Sequence, residues 1–195
     1  MILKGIAIDL DGTVFNTIKR ICEMYNEDFC LYPGFIPADW REIKTWEFTE
    51  LSLDTPRNID KYFCKPRFFN DELEIYSSAK WIIEKLSRKY PIVFVSSGYT
   101  PNLILKKTWL RKHFPYAEFI GVDLEHHEDK SSVDLEGYLF VDDVAKNLQT
   151  SNATWKICYG EVYPWNEEWD GVRCEHWVEI YQEVNSIIQK TDKYI

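Results

Sequence analysis

The chain has 195 residues, 45% of them hydrophobic and 16% aromatic, which is enough to build a core and excludes a disordered protein. Lys and Arg number 23 against 32 Asp and Glu, and the resulting net charge of −9 excludes the basic footprint of a binder of long nucleic acids. No run reaches the roughly 18 apolar residues of a membrane span, and Asp9 interrupts the first apolar run before it could serve as a signal-peptide core, so a soluble, cytoplasmic protein is expected.

Residues 2–10 form an apolar run with β-branched members, closed by Asp11-Gly12, as expected of a buried strand ending in a turn. Over 14–29 the apolar positions Ile18, Ile21, Cys22, Tyr25 and Phe29 fall three and four apart, which predicts an amphipathic helix. Between 31 and 75 the character changes. Pro33, Gly34, Pro37, Pro56 and Pro66 interrupt the chain, and Trp40, Trp46, Phe48, Tyr62, Phe63, Phe68 and Phe69 crowd it, so a small inserted subdomain is predicted. Helix and strand then alternate: a helix over 77–88, a strand over 92–95, a helix over 102–113 and a strand over 118–121. A strand over 137–141, a short helix through Leu148 and a strand over 154–159 continue the pattern. An irregular loop holding Tyr163, Trp165 and Trp169 precedes a final helix over 175–189. Alternation of this kind predicts an α/β protein, a three-layer Rossmann-like parallel sheet with helices on both faces.

Cys22, Cys30, Cys64, Cys158 and Cys174 form no C-x-x-C pair and no zinc spacing, so reduced thiols are expected. The His126-His127 pair has no nucleophile arranged with it.

Three predicted strands end on polar groups: Asp9 and Asp11, Ser96 and Ser97, Asp142 and Asp143. Each ending alone is also what a polar turn or a helix N-cap uses. Ligands in open α/β sheets bind at the carboxyl ends of the strands. If these three strands are neighbours, four carboxylates and two hydroxyls converge. So dense a set of hard oxygen ligands suits Mg²⁺ with a substrate phosphate.

In order and spacing, Asp9-Leu10-Asp11-Gly12-Thr13-Val14, the run from Ile92 to Ser97, Lys130 and Val141-Asp142-Asp143 resemble the four motifs of the haloacid-dehalogenase-like (HAD) phosphohydrolases. The resemblance implies a HAD core over 1–14 and 76–195 with a small, mostly helical cap over 15–75. It implies that Asp9 is the nucleophile and Asp11 the general acid/base. Ser96, with Ser97 and Gly12 beside it, holds the phosphoryl oxygens and Lys130 neutralises them. Asp143, supported by Asp142, completes a Mg²⁺ site with Asp9 and the backbone carbonyl of Asp11. Tyr25-Asn26-Glu27, Trp46 and the run from Phe68 to Leu73, which includes Asp71 and Glu72, are similar to the 5′(3′)-deoxyribonucleotidase group. That similarity implies a small phosphomonoester substrate, a deoxynucleoside monophosphate, with Trp46, Phe68, Phe69 and Phe15 as base contacts. Asn16-Thr17 and Gly98 depart from that group's pattern. The other readings of the same residues are a HAD phosphatase for a sugar phosphate and a non-catalytic binding protein on this scaffold.

Overall fold

The computed structural model describes residues 2–53, 61–70 and 73–192. Pro56, Asp71 and Glu72 lie outside the described residues.

The first strand, β1 (Gly5–Ile8), has every residue buried, as its unbroken apolar character requires. It is followed by α1 (Thr17–Phe29), whose N-terminus is capped by Asn16 Oδ1 accepting the Lys19 N–H at 3.0 Å. Thereafter come α2 (Ala79–Ser87), β2 (Ile92–Gly98), α3 (Thr100–His113) and β3 (Glu118–Asp123). The chain closes through β4 (Tyr138–Asp142), α4 (Ala145–Thr150), β5 (Trp155–Tyr159), β6 (Val172–Cys174) and α5 (Trp177–Asp192).

All six strands form one parallel sheet in the order β3-β2-β1-β4-β5-β6. Side chains alternate between its two faces. Ile6, Ile8, Phe94, Leu139 and Val141 pack with α2, α3 and α5, while Ala7, Val93, Val95 and Phe140 pack with Leu148 of α4 and with Val133 and Leu135. The result is the expected three-layer α/β architecture. β1 sits in the middle, with β2 on one side and β4 on the other, so the chain turns both ways from it, and ligands bind at such a switch in strand order.

Two strands extend beyond the sequence expectation: β2 runs on through Gly98 and β3 through Asp123. β6 lies in the stretch read as irregular. Three residues carry too little alternation to announce a strand, and what makes one of them is the parallel pairing of Ile157 with Val172 and of Tyr159 with Cys174.

The inserted residues leave and return side by side. Asn16 N–H donates to Glu74 O at 3.0 Å, Tyr76 N–H donates to Val14 O at 2.9 Å, and Phe15 bridges to Ile75. Within the insertion α1 is followed by short 3₁₀ turns, Trp40–Glu42 and Pro66–Phe69. Aromatic side chains knit it to the sheet domain: Phe15, fully buried, lies edge-on to Phe68, Phe69 and Trp109 of α3, with ring centroids 5.2 to 6.4 Å apart. The C-terminal helix pins the loop after β1, because the buried Trp177 indole donates to Thr13 O at 3.0 Å. Among the described residues no helix is long and apolar enough to cross a membrane.

Candidate active site

The carboxyl ends of β1, β2 and β4 are adjacent, and the polar endings read from the sequence meet there. Asp9 N–H donates to Val141 O at 2.9 Å, which extends the β1–β4 ladder by one rung and fixes the Asp9 backbone. Its carboxylate is buried. Lys130, also buried, reaches in from the segment before β4 and donates to Asp9 Oδ1 at 2.5 Å and to Asp142 Oδ2 at 2.6 Å. The remaining capacity of Asp142 is taken by Val144 N–H at 2.9 Å and by the Asn147 amide at 3.2 Å, so Asp142 has donors on both oxygens.

Asp143 is different. Its Oδ2 accepts the Trp165 indole N–H at 3.1 Å, while its buried Oδ1 has no hydrogen-bond partner among the described residues. Carboxylate oxygens of Asp9, Asp142 and Asp143 lie within 4.8 Å of one another. Burial pushes the Asp9 carboxyl up to about 7, with Lys130 opposing the rise and Asp142 and Asp11 adding to it. Burial, then Asp142 and Asp9, hold the Asp143 carboxyl well above the usual carboxylate range. For Lys130 burial works against the charged form, but Asp142 and Asp9 outweigh it and keep the ammonium charged.

Asp11 is anchored separately. Thr17 Oγ donates to its Oδ1 at 3.1 Å, and Lys106 of α3 forms an ion pair with its Oδ2. Lys106 is fully buried and also donates to Ser96 Oγ at 2.9 Å and to Ser97 O at 2.7 Å. Two lysines thus face four carboxylates: Lys130 with Asp9 and Asp142, Lys106 with Asp11, and Asp143 without one. The deficit of two positive charges and the orphaned Asp143 oxygen are what a bound divalent cation would supply and satisfy, so the residues present fit Mg²⁺.

A cavity of about 280 Å³ opens on this cluster, walled by Asp9, Asp11, Ser97, Lys106, Lys130 and Asp143 and, from the inserted segment, by Trp46 and Phe63. The Trp46 indole nitrogen is itself buried and has no hydrogen-bond partner among the described residues.

The structure brings Asp9, Asp11, Ser96, Ser97, Lys130, Asp142, Asp143 and Trp46 together. It keeps others apart. Phe15 and Phe68 are fully buried and Phe69 packs edge-on against Phe15, so all three belong to the packing between insertion and sheet rather than to the cavity wall. An aromatic-rich sequence does not say which rings face inward. Gly12 is likewise no phosphate donor, because its N–H is spent on Phe15 O at 3.1 Å and Thr17 Oγ at 3.2 Å. Its role is conformational: φ is +70°, and a Cβ there would come within 2.8 Å of Asp143 Cγ. Thr17, one of the departures from the group pattern, is with Lys106 one of the residues that hold Asp11.

Sequence reasoning missed Lys106, Phe63 and Trp165. A signal existed for the first: Asn102, Lys106, Trp109 and Leu110 fall on one helical face, and all four are buried. Nothing in the sequence distinguishes Phe63 from its aromatic neighbours.

A parallel sheet with acids at the ends of β1 and β4, hydroxyls at the end of β2 and a buried lysine between them has the fold of solved hydrolases of the HAD superfamily. A Bacillus subtilis protein of the HAD-hydrolase kind, solved bound to magnesium, superposes with a TM-score of 0.58 at 14% identity, covering 95% of this chain and 100% of that one. The model of the family described as 5′ nucleotidase, deoxy (pyrimidine), cytosolic type C protein matches residues 2–191, and the chain belongs to that family. A nucleotidase of Clostridium acetobutylicum is 25% identical over 96% of this chain and 97% of its own length. A 5′(3′)-deoxyribonucleotidase of the same organism is 23% identical over 74% of this chain and 75% of its own length.

Proposed function

We propose that the protein is a Mg²⁺-dependent phosphomonoesterase that dephosphorylates deoxynucleoside monophosphates through an aspartyl-phosphate on Asp9. The observation that carries this reading is one cavity in which the Asp9 carboxylate and the Lys130 ammonium lie beside the rings of Trp46 and Phe63. Lys130 draws the phosphate dianion in and holds its oxygens, while Lys106 fixes the Ser96 and Ser97 end of β2 alongside. An Asp9 oxygen attacks phosphorus, the P–O bond to the sugar breaks, and the leaving alkoxide takes a proton from Asp11. Asp11 then takes a proton from a water whose oxygen attacks the same phosphorus. The P–O bond to Asp9 breaks, and inorganic phosphate and the free carboxylate are restored. Asp9 and Asp143, with the fully hydrogen-bonded Asp142 behind them, would hold Mg²⁺, which when bound would withdraw charge from the phosphoryl group.

Trp46 and Phe63 offer flat apolar faces to a base. Residues 15–75 act on this reading as a cap that supplies these contacts and excludes water. The test is phosphate release across deoxynucleoside monophosphates, ribonucleoside monophosphates and small sugar phosphates, with Mg²⁺ or EDTA. Release from deoxynucleotides that needs the metal and disappears in Asp9→Asn supports the reading. Turnover confined to sugar phosphates, or turnover indifferent to EDTA, contradicts it.

A further inference from the structure

Trp165 touches the catalytic cluster from outside the catalytic cavity. It does not line the cavity that holds Asp9 and Lys130; with Asp143, which lines both, it lines a second cleft of about 760 Å³. Its loop, residues 160–171 between β5 and β6, is wired internally. Asn166, 1% exposed, accepts the Tyr163 N–H at 2.9 Å and an Arg173 N–H at 3.1 Å through Oδ1, and its amide donates to Glu161 O at 3.1 Å. Arg173 of β6 donates to Asn166 O at 2.7 Å, and Trp165 O accepts the Ala145 N–H at 3.1 Å.

Two aromatic rings hold the indole. It stacks on Tyr163 at 4.5 Å with an interplanar angle of 3°, and it meets Trp46 of the inserted segment at 5.3 Å. In that grip its N–H points at Asp143 Oδ2, 3.1 Å away, and the other carboxylate oxygen is the buried, unpartnered one.

On the reading of a Mg²⁺ phosphatase given above, we infer that Trp165 is a positioning residue for the metal: by fixing Asp143 Oδ2 it turns Oδ1 towards the cation. A ligand carboxylate whose second oxygen is already bound loses less rotational freedom on taking up the ion. The Trp165 loop thus belongs to the metal site although none of its residues lines the cavity on Asp9 and Lys130.

The experiment is calorimetric titration of Mg²⁺ into the wild-type protein, Trp165→Phe and Trp165→Leu, alongside melting of each in EDTA. Outer partners of metal ligands are worth roughly 10- to 100-fold in affinity, so both variants are expected to bind Mg²⁺ about tenfold more weakly. Because both lack the N–H, their losses should be equal, whatever the ring size. Turnover of Trp165→Phe should be depressed at limiting Mg²⁺ and return towards wild type when the metal saturates. Wild-type affinity in Trp165→Phe overturns the inference. So does a loss that grows from Phe to Leu in step with a falling EDTA melting temperature, which marks mere packing. A wild-type protein that binds no Mg²⁺ sinks the underlying reading and this inference with it, and that result is visible without either variant.

Discussion

Replacing Lys106 by Met is the sharpest test of how the site is held. Met keeps the length and apolar stem of the side chain and removes only the ammonium. That ammonium pairs with Asp11 and donates to Ser96 Oγ and Ser97 O, and the residue is 1% exposed. Removing one partner of a buried ion pair costs about 3–5 kcal/mol, because the other charge stays behind uncompensated. Asp11 is not entirely enclosed, its side chain being 17% exposed, and it keeps donors in Thr17 and Ser96. The loss therefore belongs at the lower end, ~3 kcal/mol. At about 2–4 °C per kcal/mol for a chain of this size, melting should fall by roughly 6–12 °C. Turnover should fall by about 100-fold, the usual worth of a positioned acid/base group, because Asp11 loses the ammonium that fixes its Oδ2 and keeps only hydroxyl donors. Circular dichroism melting and phosphate release on the same preparation read both numbers. A melting temperature within about 2 °C of wild type together with full turnover would refute the assignment of Lys106 as the counterion of Asp11.

Gly12→Ala forces a left-handed φ on a residue with a Cβ, at about 1–2 kcal/mol, and drives that carbon into Asp143. Activity should drop far more than the modest strain lowers the melting temperature; an active Gly12→Ala protein would contradict the close packing against Asp143. Trp177→Phe removes the N–H that holds Thr13 O and should cost ~1 kcal/mol, a fall of roughly 2–4 °C in melting with KM unchanged. The metal-free protein should lose stability as pH rises. With the Asp9 carboxyl raised from 3.8 to about 7, the folded state binds more protons than the unfolded chain between those values, so its stability falls through that window. Melting in EDTA from pH 5 to pH 8 should show the decline in the wild type and a shallower one in Asp9→Asn; equal slopes would contradict the buried acid cluster.

What the sequence made legible was whatever is local in the chain. Asp9, Asp11, Asp142 and Asp143 sit where apolar runs stop, and the sheet order places those stops side by side. Lys106 was hidden because its partner Asp11 is distant in sequence and because helical lysines usually face water; only the buried face shared with Asn102 and Trp109 betrays it. The aromatics of the insertion were legible as a class, but not one by one. Phe68 is enclosed by Phe15, Phe63 and Phe69, whereas Phe63 reaches the cavity, and that division depends on how the insertion docks on α3. Trp165 lay in a loop without periodicity, and its meaning comes from Arg173 and Asn166 folding that loop back on Asp143.

The central claim is that Asp9 takes the phosphoryl group from a deoxynucleotide. It is tested most directly by mixing enzyme, Mg²⁺ and a deoxynucleoside monophosphate, quenching within a turnover, reducing acyl phosphates with borohydride and sequencing the peptides by mass spectrometry. The account predicts homoserine at position 9, dependent on substrate and absent in Asp9→Asn. Phosphate release at full rate with residue 9 still aspartate in every quenched sample would contradict it.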